Sequence, residues 1–295
     1  MEARLWIHLS TEISAATGRQ FTPKKQRSVS GGCINSAYIV EDGEDRAYFI
    51  KTNSSQYSEM FAAEAAGLNE ILHSQTVRAP QPIVFGCYAE SAYLVLEYLE
   101  LGRASISNME TFARQLAQMH KVSAKQYGWH VDNTIGSTPQ PNHQSSDWLA
   151  FWREYRLGYQ LNLARQNGYS GRLQKQGERL LQNLDVLLGG HQPYPSLLHG
   201  DLWSGNYAVT NDMPVIFDPA VYYGDRESDI AMTELFGGFP ANFYAAYNEH
   251  YPLDAKYSRR KTLYNLYHIL NHLNLFGGGY AAQAERMVDS LLSEL

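Results

Sequence analysis

Two carboxylates and an amide flank a short hairpin pattern in the last third of the chain. Asp201 lies in a His-Gly-Asp run, Asn206 follows it by five residues, and Asp218 follows Asn206 by twelve. Two apolar runs joined by a polar turn separate Asn206 from Asp218, which predicts a β-hairpin that returns both side chains to one end. An Asp that orients and deprotonates a hydroxyl, with an Asn and an Asp on metal, suits phosphoryl transfer from Mg·ATP.

A lysine at the end of an apolar strand pattern is the candidate phosphate-binding cation. Lys51 ends that pattern, and residues 58–74 form a strong helix pattern with one apolar face. Glu64 lies beside this face at the centre of the helix, among alanines that permit a close approach to a sheet. We therefore predict a Lys51–Glu64 ion pair that directs the ammonium toward the α- and β-phosphates, in preference to pairs with Glu59 or Glu70.

A glycine pair in a strand–turn–strand pattern predicts the phosphate-binding loop, because glycine lets backbone N–H groups approach phosphate oxygens. The loop lacks the Gly-x-Gly-x-x-Gly spacing of protein kinases. Further along, the strand pattern at residues 92–98 ends in an extended segment whose backbone we expect to contact adenine. The predicted nucleotide-binding residues are Gly31, Gly32, Cys33, Asn35, Ser36, Lys51, Glu64, Glu97, Tyr98 and Leu99.

The cysteine count limits the compartment. Cys33 and Cys87 are the two cysteines of the sequence and give no disulfide framework, which indicates a reducing cytoplasm. Because Cys33 lies in the predicted phosphate loop, its oxidation or intermolecular pairing would displace the loop and switch activity off. The alternative is a small residue that only fills a turn.

Length and charge exclude several classes of protein. A chain of 295 residues suits two lobes or one large domain, and a net charge of −6 argues against a nucleic-acid binder. An enzyme that uses Mg·ATP can be acidic overall, since it needs only a few local cations. We find no apolar stretch that could span a bilayer, so we expect no membrane partner.

Hydrophobic periodicity predicts an α+β fold in two lobes. Residues 1–99 read as five antiparallel strands and a helix, and residues 100–295 as a larger, mostly helical lobe. We expect a long but ordered polar loop at residues 122–146 and a single helix from Leu173 to Leu188. His268 and His272 have the spacing of zinc ligands on a helix, but without a third ligand nearby we interpret them as packing or surface residues.

The segment that follows the metal-binding candidate is short. Asp229 comes only eleven residues after Asp218, too few for a phosphorylatable activation segment that displays a protein substrate, so we expect a small acceptor. A helix pattern starts at Asp229, where an Asp is first of all an N-cap. In a kinase-like fold, the same carboxylate can also hold the backbone of the catalytic loop.

Several motifs resemble the fructosamine kinase (ketosamine-3-kinase) family, which has a protein-kinase-like two-lobe fold. They are Ser30-Gly31-Gly32-Cys33-Ile34-Asn35, the Phe61–Leu68 helix segment, Ile135-Gly136-Ser137-Thr138-Pro139-Gln140-Pro141-Asn142, His199-Gly200-Asp201-Leu202-Trp203-Ser204-Gly205-Asn206 and Glu234-Leu235-Phe236-Gly237-Gly238-Phe239. The resemblance implies ATP-dependent phosphorylation of a ketosamine at the sugar 3-hydroxyl. The 3-phosphate is labile and sheds the sugar, so the activity would be deglycation or repair.

The resemblance also implies roles for individual residues. Asp201 would be the catalytic base, Asn206 and Asp218 would hold Mg²⁺, and the cofactors would be ATP and Mg²⁺. His199 and Asp229 would be structural supports. Trp203 would present an aromatic face to the sugar, or else pack beneath the loop.

Two alternatives remain open from the residues themselves. The first keeps the chemistry but changes the acceptor to an aminoglycoside, choline or a pentose derivative. The second is a non-catalytic scaffold that binds nucleotide or a partner. Under the main interpretation, the partner is a small ketosamine or glycated amine, and a monomer is favoured over an oligomer.

Overall fold

The computed structural model describes residues 2–29, 34–44, 46–102 and 104–295, without the side chains of residues 2 and 3. Backbone contacts divide the chain into two compact units. The first contains Met1–Ala104 and Ala208–Asp218, and the second contains Ser105–Tyr207 and Pro219–Leu295. The contacts thus group the predicted hairpin with the first unit, whereas the predicted boundary after Leu99 assigned it to the second. The functions predicted for the two lobes stay predictions.

A five-stranded antiparallel sheet forms the centre of the first unit, as predicted. The strand order is β1-β2-β3-β5-β4. The strands are β1 (Lys25–Val29), β2 (Ser36–Glu41), β3 (Ala47–Ser54), β4 (Pro82–Tyr88) and β5 (Ser91–Glu97). Two helices accompany them, α1 (Glu2–Thr17) and α2 (Ser58–His73).

The two faces of β3 carry different chemistry because side chains alternate along a strand. Ile50 is fully buried in a cluster with Leu9 and Ile13 of α1. Its neighbour Lys51 points to the opposite face and bonds to Glu64 of α2. Burial of large apolar side chains such as Ile50 contributes roughly 1.5–3 kcal/mol each, so the α1 side fixes the strand that presents the lysine.

A hairpin of β9 (Tyr207–Thr210) and β10 (Met213–Ile216) follows the predicted pattern. Its turn, Asn211 and Asp212, has positive φ at both residues, as a tight hairpin turn requires. Backbone bonds join it to the rest of the first unit. The Gly102 N–H donates to Val209 at 2.7 Å, and the Ile216 N–H donates to Arg78 at 3.0 Å.

The second unit is mostly helical, so the predicted α+β architecture is confirmed. Its first helix begins after Ser105, which forms a reciprocal capping box with Asn108. The helices are α3 (Ile106–Met119), α4 (Trp148–Phe151), α5 (Tyr159–Gln166), α6 (Arg172–Gln182), α7 (Leu184–Leu188), α8 (Glu227–Leu235), α9 (Ala241–His250), α10 (Tyr257–Phe276) and α11 (Tyr280–Leu292). Two short strand pairs complete it, β6 (Asn133–Ile135) with β7 (Thr138–Gln140), and β8 (Ser196–Leu198) with β11 (Tyr222–Gly224).

Three local predictions for this unit need correction. Residues 122–146 are ordered as expected but contain the β6–β7 hairpin, whose three-residue strands are too short to show alternation. The helix predicted from Leu173 to Leu188 is interrupted at Asn183. The aromatic stripe after Trp148 runs through a π-helical segment, Trp152–Gly158, which sequence periodicity does not distinguish from α-helix.

Of the helices in the described part of the chain, none has the unbroken apolar length that a bilayer requires.

The long helix α10 buries His268 completely, in agreement with a packing role. Burial and the neighbouring His272 lower the pKa of His268 to about 3, from 6.5. The folded protein therefore keeps this imidazole neutral at pH values where the unfolded chain takes up a proton. Stability that depends on a neutral His268 is present above about pH 6.5 and is lost as the pH falls.

We predict that His268→Gln flattens this pH dependence. Between about pH 7 and about pH 5, the free energy of unfolding of the wild type should fall by about 2 kcal/mol more than that of the variant. Urea unfolding at several pH values measures the difference. His73→Gln, at an exposed histidine, should keep the wild-type slope, and equal slopes in all three proteins would contradict the assignment.

Candidate active site

Lys51 lies at the centre of an ion-pair cluster in the first unit. Its Nζ contacts Glu64 Oε1 at 2.6 Å and Asp218 Oδ1 at 2.5 Å. The lysine side chain is 8% exposed and that of Glu64 is 12% exposed, whereas that of Asp218 is 50% exposed. The structure thus pairs Lys51 with Glu64, the partner that the helix pattern favoured, and brings the carboxylate after the hairpin to the same ammonium.

The ionisation of this cluster follows from its burial and charges. Burial alone would lower the pKa of Lys51, but the charges of Asp218 and Glu64 outweigh it and hold that pKa above its usual value. Burial raises the pKa of Glu64, against the lowering effect of the Lys51 charge. Lys51 therefore stays cationic, as a residue that neutralises phosphate charge must.

Asp218 has a left-handed backbone conformation, with φ of +57°. This region is uncommon for residues with a side chain, although Asp tolerates it better than most. The turn directs the Asp218 carboxylate back toward Lys51 instead of continuing the direction of β10. Such conformations persist where the surrounding structure holds them in place, and they cluster at functional sites.

The predicted adenine segment lines a cavity of about 340 Å³, within the range of ligand pockets. Glu97, Tyr98 and Leu99 line it together with the hairpin residues Thr210, Asn211 and Met213. The Glu97 side chain pairs with Arg78 at 2.5 Å, a contact that no sequence signal indicated. The Glu97 N–H is engaged as well, because it donates to the Gln81 carbonyl at 2.8 Å. The contact of residues 97–99 with adenine stays a prediction.

The predicted phosphate loop is described only in part. Gly31, Gly32 and Cys33 lie outside the described residues, so the glycine loop and the Cys33 thiol switch stay predictions. Asn35 accepts a hydrogen bond at 2.8 Å from the Asn53 amide of β3, and the same amide donates to the Ile34 carbonyl at 3.1 Å. Ser36 begins β2 and is exposed.

Asp201 and Asn206 meet in the second unit. The amide nitrogen of Asn206 donates to the Asp201 backbone carbonyl at 2.8 Å and approaches its carboxylate at 3.4 Å. Since the nitrogen is the donor, the Asn206 Oδ1 atom is the one that can ligate a cation. Nδ1 of His199 accepts from the Asp201 N–H at 3.2 Å, a contact that supports a structural role for His199.

Asp229 holds the backbone of the same loop. Its carboxylate accepts from the N–H groups of His199 at 2.7 Å and Gly200 at 2.9 Å. The prediction of an N-cap is wrong, because α8 begins two residues earlier and Asp229 lies inside it. The Asp229 contacts agree with the second interpretation, and the catalytic role of the loop that it holds stays a prediction.

His120, which sequence reasoning missed, orients Asp229. Its Nε2 contacts Asp229 at 3.2 Å, and its Nδ1 contacts the Tyr247 hydroxyl at 2.7 Å. Burial lowers the pKa of His120, so the neutral ring donates to Asp229 and accepts from Tyr247. Burial would raise the pKa of Asp229, but its hydrogen bonds with His120 and with the Gly200 N–H help to hold that pKa below its usual value.

Trp203 lies on the surface, two residues after Asp201 in the chain. It is 38% exposed and contacts Phe236 edge-to-face, with ring centroids 6.3 Å apart. Gly237 and Gly238 follow with φ of +88° and +72°, a turn that glycine makes without strain. The exposed face of Trp203 permits the predicted contact with a sugar, and the role stays a prediction.

A group of possible metal ligands, His191, Asp225 and Glu227, lies elsewhere in the second unit. Its donor atoms are already engaged. Asp225 Oδ2 accepts from the Tyr264 hydroxyl at 2.5 Å and contacts His191 at 2.6 Å, while Arg260 binds both Glu227 oxygens at 2.7 and 2.8 Å. The group is therefore structural, and its Arg260–Glu227 ion pair joins α10 to α8.

Comparison with known proteins identifies the family. The family model described as "Fructosamine kinase" matches residues 5–294. The chain belongs to the fructosamine kinase family. This membership confirms the resemblance noted from the motifs and the expectation of a kinase that phosphorylates a hydroxyl group.

Relatives of this fructosamine kinase family member span almost its whole length. A protein of Synechocystis sp. named "Probable ketoamine kinase" is 50% identical over 97% of both chains. A "Protein-ribulosamine 3-kinase, chloroplastic" of Arabidopsis thaliana is 45% identical over 91% of this chain and 82% of its own. A crystal structure from Haemophilus somnus 129PT, provisionally named a fructosamine-3-kinase, superimposes with a TM-score of 0.90 at 31% identity, covering 96% of both chains.

The aminoglycoside phosphotransferase APH(2")-IIa, solved with streptomycin and ATP, shares the fold alone. It has a TM-score of 0.63 at 14% identity and covers 99% of this chain and 96% of its own. The protein-kinase-like fold class is therefore confirmed.

We predict that Asp229→Asn destabilises this kinase, because the amide presents N–H donors to buried N–H groups. The free energy of unfolding should fall by about 1–3 kcal/mol, the typical cost of an unsatisfied buried donor. Asp289→Asn is the matched control, since Asp289 forms a surface pair with Arg172 at 2.9 Å. It should cost less than about 1 kcal/mol. Equal losses in urea unfolding would show that Asp229 does not hold the loop.

Proposed function

We propose that this chain is an ATP- and Mg²⁺-dependent kinase that phosphorylates the 3-hydroxyl of ketosamines. Family membership over residues 5–294 carries the proposal. The names of the relatives, ketoamine kinase and ribulosamine 3-kinase, support the acceptor. The arrangement of Lys51, Glu64 and Asp218 in one unit, and of Asp201 and Asn206 in the other, supports the chemistry.

Asp201 is the group that we assign to the acceptor. Its carboxylate orients the sugar hydroxyl toward the γ-phosphorus and takes the proton as the new P–O bond forms. The bond between the γ-phosphorus and the bridging oxygen breaks, and ADP leaves with that oxygen. Asn206 donates to the Asp201 carbonyl and so fixes the loop at this residue. Positioning supplies most of the catalysis in such transfers, and little covalent work falls to the protein.

The donor set fits magnesium, which prefers oxygen ligands. Asn206 Oδ1 and the Asp218 carboxylate would hold the ion, which when bound neutralises charge on the β- and γ-phosphates. Lys51 would bind the α- and β-phosphates, which would compete with Asp218 for the lysine ammonium. The ion pair with Glu64 would hold the Lys51 side chain in place. The groups of both units must act on one ATP molecule, and this convergence stays a prediction.

The segment after Asp218 supports a small acceptor. Tyr222–Gly224 pairs with β8, and Tyr223 also exchanges backbone hydrogen bonds with Gly128 at 2.8 and 2.9 Å. This short segment is therefore committed to internal pairing and is not a separate platform for a protein substrate. We infer that the ketosamine group itself is recognised, with Trp203 against the sugar. Loss of the labile 3-phosphate would then make the activity a deglycation step, in the cytoplasm and without nucleic-acid or membrane partners.

A panel of acceptors tests the proposal. Purified protein with Mg·ATP should release ADP with fructoselysine or ribuloselysine and not with aminoglycosides, choline or free pentoses. Preference for one of those other acceptors would keep the chemistry and change the substrate. ATP binding without ADP release for any acceptor would favour the non-catalytic scaffold.

We predict that Asp201→Ala and Asp201→Asn lower kcat by at least ~10²-fold, because general-base positioning typically contributes ~10²–10⁴. The affinity for Mg·ATP, measured by calorimetry, should change much less. Asp185→Ala, at an exposed position on α7, should leave kcat unchanged. Full kcat in either Asp201 variant would remove that residue from the role.

A further inference from the structure

The motif from Ile135 to Asn142 forms part of a buried polar hairpin whose chemistry the reaction itself does not use. The amide side chains of this hairpin are buried: the exposed fraction is 8% for Asn133, 1% for Gln140 and 0% for Asn142. Burying amides is costly unless each finds partners. The partners that these side chains find therefore indicate what the hairpin holds.

Two of these amides bind the backbone that follows the metal-binding candidate. The Asn133 amide donates to the Val221 carbonyl at 2.7 Å. The Gln140 amide donates to the Ala220 carbonyl at 3.0 Å and to Asn133 Oδ1 at 2.8 Å. Ala220 comes two residues after Asp218 in the chain, so the hairpin binds the segment that directly follows Asp218.

The same backbone supports the catalytic loop. The Ala220 N–H donates to the His199 carbonyl at 2.8 Å. Gly200 packs so closely against the Ala220 carbonyl that a Cβ at this position would overlap it, and its φ is +83°. Ala220 therefore links three things: the Gln140 amide, the loop that carries Asp201, and the chain that leads back to Asp218.

The two amides are themselves fixed from the other side. The Tyr267 hydroxyl of α10 donates to Gln140 Oε1 at 2.6 Å. Asn142 donates to Asn133 Oδ1 at 3.0 Å, and its own oxygen accepts from Arg156 at 2.6 Å. With the acceptor oxygens of Asn133 and Gln140 held in this way, the amide nitrogen of each is turned toward the segment after Asp218, to which it donates.

We propose that Asn133 and Gln140 are positioning residues that hold the segment after Asp218, and through it the catalytic loop, in a permanently ordered state. The inference rests on the proposed function for its catalytic consequences. Kinases with long activation segments order them by phosphorylation. In this protein, hydrogen bonds from buried amides order the segment after Asp218, so activity should not require phosphorylation of that segment.

The test compares Gln140→Met and Asn133→Leu with Asn271→Leu. Asn271 belongs to the same buried network and is 2% exposed, but it donates to the Ile135 carbonyl at 3.3 Å and not to residues 220 or 221. All three changes replace a buried amide by an apolar side chain of similar size. Should Gln140→Met fail to fold, Asn133→Ser serves as the smaller perturbation.

We expect the two hairpin variants to lower kcat by at least ~10-fold, because small misplacements of reacting groups have large effects on rate. The Mg²⁺ concentration for half-maximal rate should rise at least ~3-fold, while the KM for the ketosamine changes less than ~2-fold. Asn271→Leu should lower the melting temperature comparably but keep kcat within ~2-fold of wild type.

Hydrogen exchange provides a readout that does not depend on activity. Exchange in the peptide covering residues 218–224 should rise at least ~10-fold in Gln140→Met and Asn133→Leu and stay at the wild-type level in Asn271→Leu. Wild-type exchange in both hairpin variants would overturn the proposal, as would equal losses of kcat in all three. If the wild type phosphorylates no ketosamine, the proposed function fails, and the exchange comparison still decides the inference.

Discussion

A buried lysine with two carboxylate partners is the interaction on which the first unit of this protein depends. An ammonium removed from water is stable only when opposite charges and hydrogen bonds replace its hydration. Glu64 from α2 and Asp218 after β10 supply them at 2.6 and 2.5 Å. These contacts tie a sheet strand, a helix and the hairpin end together, so packing that fixes the first unit also fixes its charged groups. The exposed side of Asp218 leaves the cluster open to a ligand.

In the second unit, hydrogen bonds hold the backbone of the loop at residues 199–201 in a defined conformation. Asp229 binds two of its N–H groups, and Ala220 binds one of its carbonyls. Asp229 is in turn hydrogen-bonded to a neutral histidine, His120, and the Ala220 carbonyl accepts from an amide of the β6–β7 hairpin. Asp229 and Ala220 are thus each held by a further hydrogen bond, from His120 and from Gln140 respectively. This two-layer arrangement suits a base that must be positioned more than it must be reactive.

The sequence predicted the parts of this protein whose signals are local or strongly periodic. Alternation predicted the five strands, and the apolar face of α2 placed Glu64 next to Lys51. The same reasoning could not find His120, because its partner Asp229 lies more than a hundred residues away in the sequence. It could not find Arg78, because its partner Glu97 lies at the end of a separate strand, β5. It missed the β6–β7 strands because three residues are too few to show alternation. Asp229 was placed at a helix start, although its buried contacts to the loop are tertiary and leave no mark on the helix pattern.

The central claim is that phosphate is transferred to one oxygen of a ketosamine. Incubating the protein with Mg·ATP and fructoselysine, followed by ³¹P NMR and mass spectrometry of the fresh product, tests it most directly. The account predicts a single phosphate on the sugar O3 and one ADP for each phosphate transferred. Phosphate on another oxygen, or no phosphorylated sugar from a protein that binds Mg·ATP, would contradict it.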